Sequence, residues 1–170
     1  KTYQGTIKLG ETSNTYDSEG TIAIGSDPSH LTDLEIVAAA QSLSGKQMQL
    51  PPMFSAVKIN GLPLYLSARA GEVVEREPRE INVFHFNILN INKPTITFEI
   101  GCSKGTYIRT LANQIGEILK CGSYLTSLHR TQSGDFNIQQ AITAEKIESM
   151  TEEEIAALLL PYEHYILKKN

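Results

Sequence analysis

Two runs of alternating apolar residues, separated by a short turn, constrain the fold more than any other feature. In residues 81–89 apolar side chains fall on both faces, which is typical of a strand inside a sheet. Asn92-Lys93-Pro94 then turns the chain, and residues 96–102 are apolar at every second position. Helical spacing follows and stops at Gly122, and residues 123–132 again read as a strand. These elements predict an α+β fold with a mixed, mostly antiparallel sheet flanked by helices.

The rest of the chain divides into recognisable segments. Alternation over residues 3–9 predicts an opening strand, and Thr32 with Glu35 forms a capping box for a helix through Leu43. Residues 46–72 combine prolines, aromatics, cations and an Asn60-Gly61 turn, which predicts an insertion that projects from the core. Thr143 can cap a helix in the tail, residues 143–170. No repeat or low-complexity linker divides the chain, and its length suits one domain.

Charge alone does not indicate a nucleic-acid partner. The chain has 19 acidic and 15 basic residues. Residues 135–170 hold seven of the acidic and three of the basic residues, so residues 1–134 hold twelve of each. The acidity therefore belongs to the tail, and a local basic surface elsewhere is compatible with the composition.

The composition also argues against several classes of protein. No apolar run approaches the roughly 20 residues of a membrane span, and no signal peptide is expected from the opening residues. The two cysteines form no C-x-x-C pair, so a reducing cytoplasm is expected. The four histidines have no metal-ligand spacing with each other or with cysteine, and no metal site is predicted.

Arg109 poses the main functional question. If Thr106 caps the helix, Arg109 lies in its first turn, where the helix dipole disfavours a cation. The nearest acids in sequence are Glu99, which alternates toward solvent, and Glu117, which is two turns away. Arg109 is therefore either an exposed side chain or an arginine held to meet a carboxylate or phosphate from elsewhere. With Lys104 and Tyr107 it forms an unspecific candidate for an anion site.

Other residues allow two interpretations each. Tyr3 is either an aromatic on a strand or a stacking platform for a base, and Asp17 either caps its own turn or serves a site. The cations of the insertion are either solvated or bind RNA with the help of its aromatics. These insertion residues are Lys46, Lys58, Arg69, Phe54 and Tyr65.

Three ordered motifs add a more specific signal. KTYQGTIKLGETSNTYDSEG resembles a K-x-Y strand followed by L-G-x-x-T-x-T-x-D-x-x-G, and LPPMFSAVKINGLPLYLSARAGE resembles I-P-P-x-Y/F-S-A-x-K-x-x-G-x-x-x-Y-x-x-A-R-x-G. CSKGTYIRTLANQIG resembles C-S-x-G-T-Y-I-R-x-L-x-x-D-L-G and leads into a strand ending Leu128-His129-Arg130. On these motifs, residues 1 to about 148 resemble the TruB-type tRNA pseudouridine synthases.

The resemblance implies that a uridine in the tRNA T-loop is flipped out and isomerised to pseudouridine, without a cofactor. It implies that Tyr3 stacks on the base, that Arg109 and Tyr107 contact the catalytic aspartate, and that Leu128 lines the pocket. Asp17 would hold the RNA or the pocket loops, and residues 46–72 would grip the T-arm. The remaining residues expected to bind RNA are Lys58, Tyr65, Arg69, Lys104 and Arg130.

The chain also departs from the family pattern. The family's catalytic aspartate lies in a G-x-L-D-P-x-A-x-G motif, and no such stretch occurs in these residues. Residues 1–170 are therefore expected to be a partial catalytic domain, truncated at its N-terminus, without a C-terminal RNA-binding domain and inactive alone. Asn113 replaces an acid and His129 an arginine of the family pattern.

Three interpretations of function stay open. The first is the truncated synthase. The second is a module that binds the tRNA T-arm without chemistry, and the third is an α+β domain with an unrelated partner. No obligatory protein partner is implied, although an exposed sheet edge would allow two copies to pair.

Overall fold

The computed structural model describes residues 1–59 and 61–159, and the chain divides into two compact units, residues 1–135 and 136–170. The strands of the first unit are β1 (Thr2–Leu9), β2 (Glu11–Ser13), β3 (Ile22–Ile24), β4 (Gly45–Gln49), β5 (Lys58–Ile59), β6 (Leu62–Pro63), β7 (Arg79–Asn92), β8 (Thr95–Cys102) and β9 (Ser123–Ser133). Its helices are α1 (Asp33–Ser42), α2 (Leu64–Arg69) and α3 (Ile108–Ile118). The second unit contains β10 (Phe136–Asn137), a 3-10 turn (Ile138–Gln140), α4 (Ala144–Glu148) and α5 (Glu152–Leu158).

Five strands of the first unit lie in one sheet in the order β9-β1-β8-β7-β4. The ladders of β1 with β8 and β9, of β7 with β8, and of β4 with β7 are all antiparallel. The predicted hairpin forms as β7-β8. β7 lies between β8 and β4, as expected for a strand with apolar residues on both faces. A single parallel bridge joins Asp17 to Leu125. The predicted α+β class and mostly antiparallel sheet are confirmed.

The core lies between one face of the sheet and helices α1 and α3. Alternate residues of β8, among them Phe98 and Ile100, are fully buried there, and the Phe98 ring meets Phe86 edge-to-face with centroids 5.3 Å apart. Leu111 and Ile115 of α3 are also fully buried, because their spacing places them on one side of the helix. This packing fixes α3, whose first turn carries Arg109.

The predicted start of α1 is confirmed. The Thr32 hydroxyl accepts from the Glu35 backbone N–H, and the Glu35 carboxylate accepts from the Thr32 N–H at 2.8 Å. The reciprocal bonds satisfy two backbone donors that the helix itself leaves free.

The insertion needs a correction at its first boundary. Residues 46–49 do not project: they belong to β4, which pairs with β7. Most residues of β4 are exposed, so its sequence, Gly-Lys-Gln-Met-Gln, shows little apolar alternation. After Gln49 the chain forms the short β5-β6 pair and α2, as the predicted strand, turn and helix require. Asn60 of the predicted turn lies outside the described residues.

The second unit contains the predicted helical tail. Thr143 accepts from the Lys146 N–H and so caps α4, and Thr151 forms a capping box at α5. The last part of the predicted tail, residues 160–170, lies outside the described residues.

Candidate active site

The first turn of α3 is built differently from the turn that the sequence predicts. Tyr107, not Thr106, is the N-cap residue, and no side chain of this segment caps the helix. The Thr106 hydroxyl instead donates to the Ser103 carbonyl at 3.1 Å. Arg109 is the second residue of the helix, and no acidic residue lies in its first turn. The cation therefore needs a partner from another part of the fold.

Asp17 is that partner. Nη1 of Arg109 donates to Oδ2 of Asp17 at 2.5 Å, and each side chain is about 20% exposed. Nη2 of Arg109 donates to the carbonyl of Phe54, in the loop that follows β4. The fold thus brings together two residues that are 92 positions apart and that sequence spacing did not connect. The guanidinium thereby joins α3, the loop of residues 14–21 (the Asp17 loop) and the loop of the insertion that contains Phe54.

The Asp17 loop is held in place on both sides of the carboxylate. Oδ1 of Asp17 accepts from the Thr15 hydroxyl at 2.6 Å and from the Glu19 N–H at 3.2 Å. Tyr16 has a φ of +67° and its carbonyl accepts from the Leu125 N–H at 3.0 Å, which attaches the loop to β9. Both oxygens of Asp17 are thus engaged in contacts within the protein.

A cavity of about 430 Å³ opens beside this ion pair. Its size is within the range of small-molecule sites. The cavity brings together five residues that the sequence and the resemblance single out, namely Tyr3, Asp17, Tyr107, Arg109 and Leu128. The other residues that line it are Ser18, Glu19, Thr106, Ile108, Leu125, Thr126 and Ser127.

Tyr3 supplies an aromatic ring to one wall of the cavity. Partial burial raises the pKa of its phenol above the ordinary value, and the nearby Cys102 acts in the same direction. Arg130, its cross-strand partner in β9, lowers that pKa with its positive charge and by hydrogen bonding. The net effect keeps Tyr3 a neutral phenol at physiological pH.

The other residues expected to bind RNA do not line this cavity. Lys104 and Arg130 are both exposed. Lys104 lies two positions before the cavity residue Thr106 in sequence, and Arg130 pairs with the cavity residue Tyr3 in the sheet. Arg69 lies over the ring of Tyr65 on α2, with the guanidinium carbon 5.4 Å from the centroid. Lys58 lines a separate cavity of about 720 Å³ between the insertion and residues 75–79. The expected RNA contacts are therefore spread over the insertion and the surroundings of the cavity.

Three contributors to the site were missed by sequence reasoning. They are the Phe54 carbonyl, the Thr15 hydroxyl and the side chain of Gln49, which is only 3% exposed and bonds the backbone of Tyr107. A backbone carbonyl gives no sequence signal. Gln49 gives a weak one, since a buried glutamine at the end of a strand must find partners.

Comparison with known proteins identifies the family. The model for "TruB family pseudouridylate synthase (N terminal domain)" matches residues 1–108, and that for "tRNA pseudouridylate synthase B C-terminal domain" matches residues 109–166. The chain belongs to the TruB family of pseudouridylate synthases. The boundary between the two models falls inside the first turn of α3, so both matched parts contribute to the cavity of this TruB-family chain.

Curated relatives agree with this assignment. The chain is 44% identical over 160 residues to tRNA pseudouridine synthase B of Syntrophotalea carbinolica, covering 94% of this chain and 52% of the relative. It is 45% identical over 152 residues to the protein of the same name from Geobacter sulfurreducens, covering 89% and 50%. The TruB-family chain thus spans about half the length of these relatives.

Solved structures have the same fold. A Cbf5-Nop10-Gar1 complex contains a chain that matches with a TM-score of 0.61 at 25% identity, over 85% of this chain and 34% of that one. An H/ACA RNP bound to a substrate RNA containing 2'-deoxyuridine matches with a TM-score of 0.56 at 20% identity, over 89% and 37%.

Two other features are absent from the described part of the chain. Within residues 1–59 and 61–159, no group of three or more His, Cys, Asp or Glu side chains is placed to hold a metal ion. No helix in the same part of the chain is long and apolar enough to cross a membrane.

Proposed function

We propose that the full-length protein isomerises a uridine in the T-loop of tRNA to pseudouridine. The observation that carries the proposal is the cavity in which Tyr3, Tyr107 and Leu128 surround the Arg109–Asp17 pair. These residues come from the first and third of the three TruB-type motifs and from the strand that follows the third, and the fold assembles them around a space in the size range of small-molecule sites.

We assign the roles of the residues from the family resemblance, and their shared cavity supports the assignment. The Tyr3 ring stacks on the flipped base, and Leu128 provides an apolar wall beside it. The reaction needs a nucleophile that attacks the uracil ring or its sugar, so that the base detaches, rotates and rejoins through carbon. A carboxylate near the Arg109 guanidinium is favoured in its charged, nucleophilic form. Tyr107 contacts the same carboxylate.

Asp17 is poorly suited to be that nucleophile. One of its oxygens accepts from Arg109, and the other accepts from Thr15 and Glu19. We propose that Asp17 instead fixes the arginine, and that the attacking aspartate is supplied from outside residues 1–170. These residues alone would then be inactive. The alternative function is a module that binds the tRNA T-arm without chemistry.

RNA binding is assigned to the exposed cations. Lys58 and Arg69 on the insertion, and Lys104 and Arg130 near the cavity, would contact phosphates, while Tyr65 would stack with a base. Affinity for a T-arm RNA should therefore fall steeply as salt is raised. We expect the protein to act in the cytoplasm, with no cofactor and no obligatory protein partner. If two copies pair through β4, sedimentation would show a dimer.

Tritium release tests the proposal. A T-arm RNA carrying 5-tritiated uridine is incubated with the full-length protein, because carbon 5 loses its hydrogen when it becomes the glycosidic carbon. A matched RNA with cytidine at the target position, and labelled uridines elsewhere, is the control. We expect release from the first RNA only, and none with residues 1–170 alone. Equal release from the control RNA, or none from either with the full-length protein, would contradict the T-loop assignment.

A further inference from the structure

Gln49 makes a two-point contact with the backbone of Tyr107. Its Oε1 accepts from the Tyr107 N–H at 2.8 Å, and its Nε2 donates to the Tyr107 carbonyl at 3.2 Å. Gln49 as a residue is 3% exposed, so water does not compete freely for these bonds. The contact joins the end of β4 to a residue 58 positions later in the sequence.

This contact replaces a missing local cap. In a capping box, the residue three positions after the N-cap bonds the N-cap N–H, but that position in α3 is Thr110 and its hydroxyl has no partner within the described residues. Gln49 satisfies the same N–H from another strand. The first turn of α3 therefore has a contact from β4 that its own sequence does not supply.

The loop after β4 holds the same turn a second time. The Phe54 carbonyl, five residues after Gln49, accepts from Nη2 of Arg109. One short segment thus fixes the backbone of Tyr107 and the side chain of Arg109, two positions further along. Both residues line the cavity assigned to the reaction.

We propose that Gln49 is a positioning residue for Tyr107 and Arg109, and that it governs turnover and not RNA affinity. This inference rests on the proposed function. Gln49 does not line the cavity, so its loss removes no contact with RNA. Its loss leaves the Tyr107 N–H without its partner, while the Tyr107 carbonyl keeps the N–H groups of Thr110 and Leu111. The start of the turn can then shift, and a displacement of about 1 Å in catalytic groups can lower the rate on the order of 100-fold.

The test compares Gln49→Leu with Gln47→Leu in the full-length protein. Gln47 lies on the same strand and also donates to a backbone carbonyl, but that carbonyl belongs to Leu43, at 2.5 Å, and not to α3. Tritium release should show kcat lowered by at least about tenfold for Gln49→Leu, with KM within about twofold of wild type. Gln47→Leu should change neither constant by more than about twofold.

Two additional measurements separate positioning from a general loss of folding. Amide exchange at Tyr107 should be slow in the wild type and faster in Gln49→Leu, with Gln47→Leu unchanged. Gln49→Glu retains an acceptor for the Tyr107 N–H but loses the donor to its carbonyl. It should fold and give a kcat between those of the wild type and Gln49→Leu.

The outcomes separate this inference from the proposed function. An active wild type with unchanged kcat in both Gln49 variants, or an equal loss in Gln47→Leu, would overturn the positioning role. Unchanged Tyr107 exchange in Gln49→Leu would overturn it on structural grounds alone. A wild type that releases no tritium would overturn the proposed function and, with it, the assignment of Gln49 to turnover.

Discussion

Replacing Asp17 by Asn should destabilise the protein because the change removes the charge partner of Arg109. Asparagine retains an oxygen for the Thr15 hydroxyl and the Glu19 N–H, so the turn itself can persist. The arginine keeps its bond to the Phe54 carbonyl but becomes an uncompensated, largely buried cation.

The magnitude follows from the exposure of the pair. Breaking a fully buried ion pair costs about 3–5 kcal/mol, and an exposed pair contributes about 1 kcal/mol or less. Each side chain here is about 20% exposed, and the arginine retains one acceptor. We therefore expect a loss of about 2 kcal/mol in the free energy of unfolding, or roughly 1 M in the urea midpoint for a slope near 2 kcal/mol/M.

Asp27→Asn is the matched control. Asp27 accepts from the N–H and hydroxyl of Ser29, at 2.9 and 2.6 Å, in a turn much like that of Asp17, but no arginine contacts it in the contacts described. Urea unfolding followed by circular dichroism should show a clearly smaller shift for Asp27→Asn. A double-mutant cycle with Arg109→Met should show that the two losses are not additive. Additive losses, or equal shifts for the two asparagine variants, would refute the reasoning.

Two further predictions concern stability. Hydrogen bonds from Thr32 lower the pKa of Glu35. The contribution of the Glu35 carboxylate to the free energy of unfolding is therefore present above the ordinary carboxyl pKa and is lost as pH falls through the lowered value. Glu35→Gln should differ from wild type in thermal unfolding at pH 7 and match it in strong acid. Gly5→Ala would place its Cβ 2.5 Å from the Ser127 carbonyl oxygen and should cost about 1–3 kcal/mol in urea unfolding. Gly101→Ala meets only a half-exposed histidine ring and should cost less; equal costs would contradict this packing argument.

Local patterns predicted the elements of the fold well. The capping box at Thr32, the β7-β8 hairpin and the apolar stripe of α3 each depend on residues close in sequence. The start of the insertion was misplaced because most residues of β4 are exposed, so burial imposes little pattern on its sequence.

The site was less predictable, because its decisive contacts join distant segments. Spacing showed that Arg109 lacked a nearby acid, but it did not identify Asp17, which lies 92 residues earlier. The family motifs selected Tyr3, Asp17, Tyr107 and Leu128. The spacing of these residues in the sequence does not show that they line one cavity. The cap supplied by Gln49 required the position of β4 relative to α3, which only the tertiary structure provides.

The most direct test of the central claim is turnover by the full-length Arg109→Ala variant at saturating T-arm RNA, measured by tritium release beside filter binding. We expect turnover to fall on the order of 100-fold with RNA affinity nearly unchanged, because the guanidinium acts on a carboxylate inside the cavity. Lys104→Ala should show the reverse, with weaker binding and turnover restored at saturation. Near-normal turnover in Arg109→Ala would contradict the account.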